Sequence, residues 1–242
     1  MVPWPSQAWD TVPHQKITKA ALDTLPKRVK DRLGTETASL IEIYCLYPDR
    51  YLEMEQYGFT RNSPGPRTAA EIRPYCVRPD GQPVHGISGD RATDRGSLAF
   101  LFERMATNWE TNRPAEAAKY AGVLSHFIAD SLSPPHAVAA EELLEMAGGV
   151  NVHPVIERSV PEFTLGDRRP HSLSQETLLE QVYAEARRNR VDLPSMVKAA
   201  CARDEHALDV YRLRAGTRAA EILADALVTL LDGLHNPGRG IQ

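Results

Sequence analysis

Two pairs of metal-ligating side chains stand at helical spacing in this chain of 242 residues: His126 with Asp130, and His153 with Glu157. Residues four apart on a helix project from one face, so each pair can offer an imidazole nitrogen and a carboxylate oxygen to one cation. The geometry parallels the i, i+4 histidine pair of zinc proteases. Between the pairs runs Ser133-Pro134-Pro135-His136, where the prolines end one helix and let His136 turn back toward it. Taken singly, each pair is more often a surface hydrogen bond or salt bridge than a metal site, and it is their conjunction that points to metal. The first pair has a less ordinary setting, because Val123, Leu124, Phe127 and Ile128 surround it and a buried carboxylate needs a partner. A compensating cation is one solution. Sites made of His, Asp and Glu commonly serve catalysis, since they leave a position open for water or substrate. Two such pairs joined by His136 point to more than one ion.

Two upstream segments, Trp9-Asp10-Thr11-Val12-Pro13-His14 and Leu46-Tyr47-Pro48-Asp49-Arg50, complete the set. With His126-x3-Asp130-x5-His136 and His153-x3-Glu157, the set resembles the zinc-dependent phospholipase C and single-strand-specific nuclease superfamily in both spacing and order. The matching elements span residues 9 to 157. The resemblance implies an all-helical fold with three zinc ions in one cleft. One ion would be held by His126, Asp130, Asp49 and a histidine of the long central loop, His85, whose alternative is a loop histidine facing solvent. A second would be held by His136, His153 and Glu157. The third would take His14 with the backbone amine and carbonyl of Trp9, Asp130 bridging it to the first. That third ion requires Trp9 to be the mature N-terminus, because an amide nitrogen cannot replace a free amine as a neutral donor; an uncleaved chain is expected to hold two. In the phospholipase branch the counterpart of Asp49 is also the proposed general base.

The activity so implied is phosphodiester hydrolysis, with a phospholipid as the expected substrate and a phosphorylated head group as product. A nuclease or 3′-nucleotidase of the same architecture, acting on single-stranded nucleic acid, is the alternative. Glutamate at 157 favours the lipase branch, whereas the step from Trp9 to His14 favours the nuclease branch. A third reading belongs to another class: a non-catalytic helical binding protein that zinc merely stabilises. Structural zinc sites are closed and often use cysteine, whereas this set has oxygen and nitrogen ligands to spare.

The elements that must position these residues read as helices. Apolar spacing as in Ile17, Ala21, Leu22 and Leu25 recurs along the chain, and period-two alternation is nearly absent. An all-α, single-domain helical bundle is expected over 9–240, with 1–8 as a leader or residual signal segment and helices near 14–25, 36–47, 91–110, 114–132, 136–147, 174–190 and 194–235. The Gly- and Pro-rich stretch 57–90 shows no helical period and reads as a long loop. Residues 6–8, Ser-Gln-Ala, have the small-x-Ala form of a cleavage site but follow no apolar run of signal length, so either the start lies inside a longer signal or the match is chance; export to a periplasmic or extracellular space is the expectation, with no signal visible in the chain.

A net charge of −4 provides no broad basic face for a nucleic-acid backbone, so such a substrate would have to be held locally. No stretch approaches the roughly 20 apolar residues of a membrane span. Cys45, Cys76 and Cys201 lack paired spacing, which argues against a thiolate zinc site. His171, His206 and His235 read as surface or capping residues, Trp4 and Trp109 as packing or interface residues, and Arg187-Arg188-Asn189-Arg190 as a solvated helix end.

Overall fold

The apolar positions of the first helical segment, Ile17, Ala21 and Leu22, are all buried, and the same one-sided patterning builds most of the chain. The computed structural model describes residues 11–58, 65, 66 and 68–232. In chain order its helices are α1 (Thr11–Asp23), α2 (Lys27–Leu33), α3 (Glu36–Glu42), α4 (Tyr47–Tyr57), α5 (Ala69–Cys76), α6 (Arg91–Glu110), α7 (Pro114–Ser131), α8 (Ala140–Met146), α9 (His153–Ile156), α10 (Gln175–Ala202) and α11 (Glu205–Leu231). Short 3-10 turns at Tyr44–Leu46 and Pro134–Ala137 precede α4 and follow α7. Among the described residues the β structure is one antiparallel bridge, Val77 with Pro83. The fold is all-α, and no described helix is long and apolar enough to cross a membrane.

α7 is the central helix. From Tyr120 to Ser131 every residue is buried, which is what a helix apolar or small around its whole circumference demands. The helices α1, α3, α4, α5, α6 and α11 pack around it and form the main core. A second, smaller core gathers Leu143, Val152, Ile156, Leu193, Met196 and Leu208 from the α8–α11 end. Trp109 packs as expected: its ring is buried, its Nε1 donates to the Leu231 carbonyl at 2.8 Å, and the Arg32 guanidinium lies 4.1 Å over it.

Several element boundaries differ from the sequence reading. The helix expected over 36–47 stops at Glu42, because Pro48 has no N–H to donate to Tyr44; the chain tightens into the 3-10 turn and restarts as α4 with Pro48 in its first turn. The 57–90 stretch contains α5, which is short and carries Pro74 inside it, so its apolar period is broken in sequence. α2 buries only Val29 and Leu33, too little pattern to read. The helix expected from 136 begins at Ala140, since the two prolines hold the preceding turn. The expected break before Pro194 does not occur. Pro194 faces solvent, where water can take the carbonyl it leaves free, and α10 runs on to Ala202. The chain breaks instead at Arg203, in the left-handed region with φ 56°, and Asp204 caps α11 by accepting from Ala207 N. Arg187 to Arg190 therefore lie within α10 rather than at its end, and Arg190 pairs with Glu142 at 2.8 Å.

Candidate metal centre

α7 carries His126 and Asp130 on one face, both fully buried. α1 lies alongside and stacks the His14 ring on that of His126, centroids 4.1 Å apart. Behind them Thr18 donates to the His14 carbonyl at 2.7 Å and its hydroxyl lies 2.6 Å from that of Ser125, which locks the two helices in register. The first turn of α4 adds Asp49. On the neighbouring 3-10 turn, the Cys45 carbonyl lies 2.9 Å from His126 Nδ1. A carbonyl can only accept, so the ring carries its proton on Nδ1 and turns Nε2 toward the other ligands.

That contact depends on Gly122. A Cβ there would sit 2.4 Å from the Tyr44 carbonyl carbon, backbone that cannot swing aside. Gly122→Ala is expected to push the Tyr44–Leu46 turn off α7 and cost about 1–3 kcal/mol, the usual penalty for overpacking a core. Chemical denaturation checks the cost; a variant as stable as the parent would show that the turn yields freely.

His85 arrives from a hairpin closed by Val84 N donating to the Cys76 carbonyl and Arg78 N to the Gln82 carbonyl. The chain beyond it is tied to α7 through Ile87 N, which donates to Ser131 Oγ at 3.0 Å, and to α6 through Ser88, whose N and Oγ both donate to buried Asp94 at 2.7 Å. Gly86 lets this loop lie against α7, since a Cβ there would already be 3.2 Å from that of Asp130. His85 is therefore turned into the cluster rather than toward solvent.

The remaining three residues form a second group at the smaller core. His136 comes from the turn after α7, while α9 presents His153 at its start and Glu157 just past its end. The Ser133 hydroxyl donates to Glu157, and the His153 amide donates to Asn151 Oδ1. The His136 and His153 rings lie 5.3 Å apart, and His136 is 6.4 Å from His85 of the first group.

Separations within the cluster, 2.9–4.0 Å, bracket those between ligands of one metal ion. Two ligands each about 2.0–2.2 Å from a tetrahedral zinc are about 3.3–3.6 Å from one another. His14 Nε2 lies 3.3 Å from Asp130 Oδ1; Asp130 Oδ2 lies 2.9 Å from His126 Nε2 and 3.2 Å from His85 Nδ1. Asp49 Oδ1 lies 3.3 Å from His85 Nε2 and 3.5 Å from His126 Nε2, and its Oδ2 is 4.0 Å from His14 Nε2. Glu157 lies 3.4 Å from His136 Nε2 and 3.0 Å from His153 Nδ1. Most of these contacts are not hydrogen bonds. His14 Nε2, His126 Nε2, both Asp130 oxygens, His136 Nε2 and Glu157 Oε2 are buried and have no hydrogen-bond partner, an expensive condition for polar atoms that a cation relieves. His14–Asp49–His126, His85–His126–Asp130 and His136–His153–Glu157 each form a group able to hold a metal ion.

Electrostatics agree with a demand for positive charge. Burial pushes the His126 pKa down, but Asp130 and Asp49 override it and raise it to about 9. His136 is likewise raised to about 9 by Glu157 against the effect of burial. Asp130 is held well below the usual carboxylate range: burial opposes this, and the His126 and His85 charges prevail. Burial first, then neighbouring His126, lowers His14, which suits it as a neutral donor. Side-chain exposure divides the cluster: Asp130 and Glu157 are closed off at 0% and 2%, whereas Asp49, His85, His136 and His153 keep 14–19%. The exposed edge is the side of the cluster open to solvent.

Eight of the nine residues singled out in sequence thus come together; the ninth, Trp9, lies outside the described residues, as do the 1–8 segment, Trp4 and His235. His171 and His206 take no part in the three groups. All three cysteines are free. The residues that position the candidate ligands, Cys45, Ser133, Asn151 and Gly122, escaped the sequence reading, and only a glycine inside the apolar helix α7 signals a close approach. Comparison with known proteins yields no match, whether to family models, curated proteins or solved structures.

Proposed function

We propose that this chain is a zinc-dependent phosphodiester hydrolase of the phospholipase C type. The observation that carries the reading is the double-faced Asp130, fully buried, with one oxygen toward His14 and the other toward His126 and His85. A lone structural ion needs one closed shell, whereas a carboxylate facing two histidine sets suits neighbouring ions. His14, Asp49, His85, His126 and Asp130 would serve two ions, the His14 ion needing further ligands from outside the described residues, and His136, His153 and Glu157 a third. Zinc bound there would supply Lewis acidity, lowering the pKa of water and neutralising charge on phosphate. Zinc also matches the nitrogen- and oxygen-rich donor set. Asp49 alone among the three carboxylates reaches the open side, so it can orient a water and accept its proton. The buried ligands keep solvent from the other faces of the cluster.

Phospholipid is the preferred substrate because Glu157 matches the lipase branch and a net charge of −4 does not favour a nucleic-acid backbone. The test is hydrolysis of bis-p-nitrophenyl phosphate by the purified protein. Turnover is expected, lost on chelation and restored by zinc; stoichiometric zinc without hydrolysis at any pH would favour the scaffold reading. Phosphatidylcholine set against single-stranded DNA and RNA then divides lipase from nuclease.

A further inference from the structure

α9 is a single turn, far too short to persist by its own hydrogen bonds, yet its two ends present His153 and Glu157. Beneath it lies Arg212 of α11, fully buried. The guanidinium donates from Nε to the Ile156 carbonyl at 2.8 Å and from Nη2 to the Val155 carbonyl, while Nη1 donates to Glu205 at 2.8 Å and to Asp209 at 2.9 Å. Carbonyls left over at the end of a helix need donors, and a positive charge is favoured there. The two it engages immediately precede Glu157, so the same contacts fix the direction in which that carboxylate leaves the turn.

We propose that Arg212 is a positioning residue for one metal of the centre, clamping α9 so that His136, His153 and Glu157 together hold a divalent cation. The inference rests on the metal-centre reading above. Only a planar fork reaches two carbonyls on one side and two carboxylates on the other; a lysine ammonium, a single point of charge, does not. Because this group stands on the smaller core and the His14–Asp130 group on the main one, loss of the clamp affects one equivalent of metal and spares the rest.

The experiment is a zinc titration of the chelator-stripped protein against a chromophoric competitor, for the parent, Arg212→Met, His153→Ala and the double variant. Arg212→Met is expected to weaken one equivalent by at least about 10–100-fold, the effect of removing an outer-shell partner. It should be the same equivalent that His153→Ala removes, so that the double variant loses no more. If Arg212→Met does not fold, Arg212→Lys is read in its place, with the same equivalent weakened. A full complement at parental affinity in the variant overturns the proposal, as does equal weakening of all equivalents. A parent that binds no zinc fails earlier and overturns the metal-centre reading itself.

Discussion

Asp130→Ala is expected to abolish hydrolysis, with a loss exceeding the roughly 10²–10³-fold that follows removal of a single transition-state donor, and to release metal. The reason is geometric. Asp130 lies within 3.3 Å of His14, His126 and His85 through its two oxygens, so its removal leaves three imidazoles with only the more distant Asp49 to draw a cation among them. Metal binding and the local fold are linked in such sites, and the zinc content should fall together with the rate. Plasma mass spectrometry beside a rate assay reads both. Near-normal zinc and turnover in Asp130→Ala would rule out the bridging role.

Asp49→Asn should separate chemistry from binding. The amide keeps the size and one oxygen ligand of the carboxylate but cannot take a proton. Because Asp49 retains 14% exposure where Asp130 has none, it is the group placed to meet a water on the open side. The rate should fall about 10²–10⁴-fold, the range for a lost general base, while the His136–His153–Glu157 equivalent of zinc stays bound. An unchanged rate would confine Asp49 to a ligand role or none.

Much of this centre was legible in the chain because its donors come in short-range patterns. His126 and Asp130 are fixed relative to one another by a single helical turn, and the Pro134-Pro135 pair announces that His136 folds back. His153 and Glu157 were legible as a pair, although the turn beneath them is held by Arg212, far along the chain, with nothing local to announce it. The convergence of His85 was implied only by the family resemblance, with no local pattern to announce it, since it rests on Ser131, Asp94 and Gly86 meeting across elements. Cys45 contributes a backbone carbonyl, for which any residue type would serve. The all-α class followed from apolar period alone, whereas the boundaries failed where proline chemistry and tertiary contact compete, at Pro48, where a helix restarts, and at Pro194, which faces solvent while its helix continues and packs Met196 into the second core.

Crystals of the zinc-loaded protein, measured across the zinc absorption edge, test the central claim most directly. Anomalous density is predicted between His14 and Asp130, among His85, His126, Asp49 and Asp130, and among His136, His153 and Glu157. Crystals whose anomalous peaks fall only on surface residues, with these eight side chains hydrogen-bonded to one another or to water, would contradict it.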